Sequence, residues 1–140
     1  VHAGLSARLL ERDLEMDTLN ARMSEGLYRT SKERREDPTL EFLYRSAGPV
    51  WYHGMVCTDE KYDPLTPEQT DALLRRYDAD RLLVGHTIFP DISTFHDGRV
   101  IAVNVQNELN RRKNRGRAVL IEGSRISVDG NRGVKRVLEE

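Results

Sequence analysis

The stretch Arg81-Leu82-Leu83-Val84-Gly85-His86-Thr87 decides how this chain is read. A run of aliphatic residues closed by a glycine reads as a short buried strand, and the histidine after it stands where the strand gives way to a loop. In open α/β sheets, ligands collect at the carboxyl ends of strands. Val1-His2-Ala3-Gly4 has the same character, a strand end entering a glycine-containing loop. His2 and His86 are therefore candidate metal ligands, because neutral imidazole binds zinc, iron, nickel and manganese. The separation of the two carries no signature of its own, and a structural histidine is the simpler account of either taken singly.

Upstream of that strand the pattern is helical. Met16, Leu19, Met23 and Leu27 form one apolar stripe in a segment spanning about Glu11 to Lys32, which reads as a core-facing helix. Ser31 to Asp37 is polar throughout and reads as a loop or frayed end. Asp37-Pro38 restarts a helix, with a capping carboxylate and proline at the first turn. Thr66-Pro67-Glu68-Gln69 is a capping box opening a helix to about Tyr77. Downstream, Ile88 to Phe95 and Arg99 to Val105 flank an Asp97-Gly98 hairpin turn. Ala118 to Ile121 and Arg125 to Val128 read as two further strands around Gly123-Ser124. The order predicts an α/β fold ending in an antiparallel meander, with residues 1–140 as one unit. The opening strand has no upstream partner in the sequence, so an exposed sheet edge and a missing N-terminal half are expected.

With 22 basic and 23 acidic residues the formal charge is −1, so the chain as a whole has no electrostatic bias toward nucleic acid or an anionic membrane. No apolar run approaches the ~20 residues that span a bilayer. The single cysteine, Cys57, excludes an internal disulfide and leaves the compartment unassigned, with a cytoplasmic setting slightly favoured. It has no neighbouring histidine in sequence to activate it as a nucleophile.

Four blocks carry a resemblance. Val1-His2-Ala3-Gly4-Leu5-Ser6 resembles a "His-Gly/Ala-Gly-Leu-Ser" block, and Val84-Gly85-His86-Thr87 a "Val-Gly-His-Thr" block. Gly48-Pro49-Val50-Trp51-Tyr52-His53-Gly54 is similar to "Gly-Pro-Leu-Trp-Tyr-Arg-Gly", and Gly98 to Asn104 looks like a closing strand. In this order they resemble the C-terminal portion of calcineurin-like metallophosphoesterases of the phosphoprotein phosphatase type, in the bacterial and Shewanella-like branch. The resemblance implies a two-sheet sandwich flanked by helices. It also implies two divalent metal ions (manganese, with iron or zinc as alternatives), with His2 and His86 on one of them. The implied reaction is hydrolysis of a phosphomonoester, including phosphoserine or phosphothreonine, by a metal-activated hydroxide. The partner is a phosphorylated protein or small phosphoester.

Three ligand blocks of that family, Gly-Asp-x-His-Gly, Gly-Asp-x-x-Asp-Arg-Gly and Gly-Asn-His-Glu, are absent from the sequence. The chain alone is therefore expected to be inactive and its longer parent active. The competing expectation is a binding or scaffold module that keeps the fold without the metal centre.

His53 stands where the related branch has arginine, and offers phosphate one donor in place of a bidentate clamp. Trp51 and Tyr52 either wall the substrate cleft or fill the core. His96, before the hairpin turn, reads as solvent-facing. Asp91 either orients an imidazole or forms a turn. The cluster Arg111 to Arg117 lacks interleaved aromatics and reads as a solvated loop, with no nucleic-acid role.

Overall fold

Two short caps set the helical layer. The side chain of Asp37 accepts from the amides of Thr39 and Leu40, and Pro38 opens helix α3, Pro38–Tyr44. Thr66 and Gln69 cap each other reciprocally at the start of α4, Pro67–Arg76. Both starts agree with the sequence reading. The structure, a computed structural model, describes residues 1–114, 116–130 and 135–139.

The long helix expected from Glu11 to Lys32 is instead two. Helix α1 runs Met16–Leu27 and α2 runs Ser31–Glu36. The polar segment read as a loop forms α2 because Thr30 and Glu33 make a second reciprocal capping box, which also ends α1's continuation. Only the middle of the apolar stripe packs. Leu19 is buried, whereas Met16 and Leu27 are exposed. Helix α1 is fastened to α3 at Gly26, where a Cβ would meet the Tyr44 ring at 2.2 Å. The Tyr44 hydroxyl donates to the Met23 carbonyl.

One three-stranded sheet has the order β1-β3-β2, formed by β1 (Leu82–Val84), β2 (Ser93–Phe95) and β3 (Val100–Ala102). Strands β2 and β3 are the expected hairpin, turning through His96, Asp97 and Gly98, all at positive φ. Strand β1 lies parallel to β3, so β3 is central and wholly buried. The second sheet is an antiparallel meander of β4 (Arg117–Glu122), β5 (Arg125–Gly130) and β6 (Lys135–Glu139). It has one strand more than the sequence reading supplied. The basic stretch read as a loop begins inside a short helix, α5 (Asn107–Arg112).

Residues 1–4 adopt no regular strand, yet they occupy the edge beside β1. The Val1 amino group donates to the Leu83 carbonyl, and the Gly85 amide donates to the His2 carbonyl. On their other side, the Ala3 and Gly4 amides share the Pro49 carbonyl.

The larger core joins Leu5, Leu9, Leu19, Phe42, Leu43, Met55, Leu73 and Val84 between the helices and the first sheet. A second cluster, Ile92, Ile101, Val105, Ile126 and Val128, packs the two sheets together. The architecture is α/β, as expected. Among the described residues no helix is long and apolar enough to cross a membrane.

Leu43 is fully buried and Met16 is 40% exposed, which separates the two ends of the helical layer energetically. Leu43→Ala is expected to lower unfolding free energy by roughly 2–5 kcal/mol in urea denaturation. Met16→Ala should stay within about 0.5 kcal/mol of wild type in the same measurement.

Candidate functional site

Three imidazoles converge at the carboxyl end of β1. His2 Nε2 and His86 Nδ1 are 2.7 Å apart and share a hydrogen bond, with ring centroids separated by 4.7 Å. The His53 ring centroid lies 4.8 Å from that of His86. Trp51 meets His86 edge-on at 5.6 Å. Three chain segments thus meet at one point, each held by a different backbone device.

His86 is held by a sharp turn. Its φ is 60°, in the left-handed region, and the Thr87 amide closes a three-residue turn on the Gly85 carbonyl at 2.7 Å. The Asn104 amide group donates to the His86 carbonyl at 3.0 Å. His2 is placed by the edge pairing with β1. His53 is placed by the loop whose Pro49 carbonyl receives residues 3 and 4, and its Nδ1 lies 3.0 Å from the Thr87 hydroxyl. With that hydroxyl donating, the ring proton of His53 sits on Nε2, where it can serve an anion. Burial, followed by the nearby charge of His86, pushes the His53 pKa below its ordinary 6.5.

The two aromatics divide. Trp51 is 51% exposed and walls the site, whereas Tyr52 is 3% exposed and its hydroxyl donates to the Asp63 carbonyl. Burial, followed by the charge of Asp63, raises the Tyr52 pKa, so it is a neutral supporting residue. A cleft of about 540 Å³ opens beside the imidazoles, lined by Trp51, Tyr52, His53 and Tyr62 among others. The Tyr62 ring lies 5.0 Å from that of His53.

Other candidates lie away from this cluster. His96, expected to face solvent, is half-buried and bridges Thr70 Oγ1 at 3.2 Å and the Met55 carbonyl at 3.0 Å. Asp91 accepts from Arg117 at 2.7 Å and from the Ile92 amide, so its carboxylate is engaged by an arginine and the backbone and not by an imidazole. Arg112 pairs with Glu108, and Arg115 lies outside the described residues. Cys57 packs against the core. The sequence reading missed Thr87, Tyr62 and Asn104. A hydroxyl, a phenol and an amide have no periodicity that marks them, although Thr87 is adjacent to His86.

The two-metal expectation is corrected. Among the described residues no three His, Cys, Asp or Glu side chains form a group able to hold a metal ion. His2 and His86 spend one nitrogen each on one another. These residues do not fit the manganese centre that the resemblance implied.

Comparison with known proteins corrects the family as well. No family model and no curated protein matches the chain. Solved structures do match. One, described as a cold-active protein tyrosine phosphatase, superposes with a TM-score of 0.85 at 26% identity, covering 100% of this chain and 39% of that one. Another, the cold-active protein-tyrosine phosphatase of a psychrophilic Shewanella species, superposes with a TM-score of 0.85 at 25% identity over 99% of this chain and 40% of that one. The chain therefore spans about two fifths of the length of these structures. The neighbours carry the name of tyrosine phosphatases and not of the calcineurin-like metallophosphoesterases that the sequence blocks resemble.

Two outcomes test the geometry. In an NMR titration the His53 ring should protonate with a midpoint below 6.5, and His86→Ala should move that midpoint upward. The unfolded chain binds this proton more readily, so the contribution of His53 to stability is intact above 6.5 and is lost as pH falls through the lowered midpoint. Separately, His86→Gly should hold or raise stability by up to about 1 kcal/mol, because glycine adopts positive φ without strain, while removing the hydrogen bond to His2. Thermal unfolding and the His2 ring resonances report the two effects.

Proposed function

We propose that this chain builds part of the active cleft of a phosphatase that hydrolyses phosphomonoesters on protein side chains, with phosphotyrosine the favoured ester. The observation that carries the reading is the meeting of His2, His53 and His86 beside the half-exposed Trp51. The likeness to structures named protein tyrosine phosphatases supports it.

The chemistry follows from the groups present. In phosphoester hydrolysis the oxygen of a water bonds to phosphorus and loses a proton as the bond from phosphorus to the leaving oxygen breaks, and the leaving oxygen must gain one. Imidazole is the side chain best suited to supply it near neutral pH. The hydrogen-bonded His2 and His86 pair holds a proton between two rings. The Nε2–H of His53 is a further donor for a phosphoryl oxygen, and donors fixed in advance need no reorganisation as charge develops. Asn104 and Thr87 act through the histidines as positioning residues. Trp51 offers a face for the aryl ring of the ester.

The test is phosphate release from phosphotyrosine and phosphoserine peptides by the full gene product, alongside peptide binding by the 140-residue chain. Turnover with phosphotyrosine is expected to exceed that with phosphoserine. His86→Ala should lower kcat by about 100-fold or more, the usual contribution of a positioned acid. Trp51→Ala should act on KM, raising it severalfold for the aryl ester as about 1 kcal/mol of stacking is lost. Tight binding without turnover in the full gene product would replace the enzyme with the scaffold reading. Absence of both would remove the proposal.

A further inference from the structure

A second cleft of about 480 Å³ lies on the far side of Trp51. It shares Tyr44, Arg45 and Trp51 with the cleft beside the imidazoles, so the two form one groove with the tryptophan at its middle. The groove is cationic although the chain is not. Arg8, Arg45 and Lys61 line one arm and Arg34, Arg35 and Arg45 the other, against the acids Asp63 and Glu41. Five different cations thus face two carboxylates in a chain of formal charge −1.

Several of these cations are engaged. Arg45 reaches Glu41 at 3.3 Å and Lys61 reaches Asp59 at 2.9 Å, both in exposed pairs that salt screens. Arg34 lies over the Tyr44 ring at 4.5 Å. Arg8 and Arg35 are exposed and have no carboxylate partner among the described residues, one in each arm. A cation without a carboxylate partner in each arm of the groove, with His53 lining one arm beside Trp51, matches a ligand that carries negative charge on both sides of the tryptophan.

We propose that this groove binds an extended peptide segment carrying acidic residues on both sides of the phosphorylated side chain. Placing the phosphorylated residue at the imidazoles rests on the phosphatase reading above; the preference for acidic flanks rests on the groove alone. A peptide fits better than a single-stranded nucleic acid, which needs successive stacking platforms. The groove offers one. The Tyr44 ring is covered by Arg34 and packs on Gly26, Tyr52 is buried, and Tyr62 is flanked by Lys61 at 4.7 Å and by His53. Trp51 alone is free to stack.

The experiment measures fluorescence anisotropy of labelled nonapeptides with the 140-residue chain at low and high salt. The peptides have aspartate-rich or neutral flanks, each with and without a central phosphotyrosine. The acidic phosphopeptide is expected to bind about tenfold more tightly than the neutral one at low salt, with the advantage shrinking as salt screens exposed charge. Arg8→Glu and Arg35→Glu should each cut that advantage about threefold to tenfold, the size of one or two screened ion pairs, and leave the neutral phosphopeptide unchanged. Both side chains are exposed, so folding is not at stake, and Arg8→Gln with Arg35→Gln should give intermediate losses.

Equal binding of acidic and neutral phosphopeptides overturns the groove and leaves the phosphatase reading standing. Tight binding of the acidic peptide regardless of phosphorylation keeps the groove and removes the phosphate site. An oligothymidylate that binds as tightly as the acidic phosphopeptide overturns the peptide assignment.

Discussion

The left-handed backbone of His86 is the constraint on which the rest of the site depends. Strand β1 delivers the chain to a crowded point. Its edge is taken by residues 1 and 2, its other side by β3, and the chain must reverse within three residues. A non-glycine residue at φ 60° costs on the order of 1–3 kcal/mol. The turn persists because its surroundings over-determine it, with the Gly85 amide held by His2, the Gly85 carbonyl by Thr87, and the His86 carbonyl by Asn104. The same contacts that hold the turn deliver His2 to His86, and Thr87 to His53. The strain and the constellation are one arrangement seen from backbone and side chain.

Local chemistry was legible in the sequence and long-range closure was not. The caps at Asp37 and Thr66 announced α3 and α4 because a cap needs only residues within one turn. The same rule existed at Thr30 and Glu33, but an unbroken polar run hid it, since α2 buries nothing that periodicity could reveal. The Asp97-Gly98 turn gave the β2–β3 hairpin for the same local reason. The parallel pairing of β1 with β3 has no local signal at all. Nor does the contact between the 48–54 loop and the N-terminal residues, which is carried by the Pro49 carbonyl. That contact is what brings His53 and Trp51 to His86, so the sequence offered these residues as candidates but their meeting at one point became readable only with the fold.

The motif resemblance drew attention to two histidines that the structure sets side by side, but it also brought a cofactor with it. Sequence blocks report which residues follow one another. They do not report whether a nitrogen is open to a metal or engaged with a neighbour. Here the distance between His2 Nε2 and His86 Nδ1 is that of a hydrogen bond, and the structural neighbours bear a different family name. What remains of the sequence reading is chemical: imidazoles at a strand end, beside an aromatic wall.

Charge distribution explains why the bulk numbers understated this surface. A formal charge of −1 over 140 residues predicts no preferred ligand when averaged, but potential at a cleft depends on which charges line it. Much of the acid in this chain is spent elsewhere, at helix starts such as Asp37 and Glu33 and in pairs such as Asp71 with Arg99 and Asp91 with Arg117. Those carboxylates are held by caps and partners that the fold needs, so they cannot migrate to the groove. The cations of α2 and of the segment before α1 have fewer such obligations. Arg35 projects from a helix with no buried residue, and Arg8 from a single helical turn whose one buried side chain is Leu9. The fold thus engages part of the chain's negative charge at caps and ion pairs, while five cations line the cleft on the two sides of Trp51.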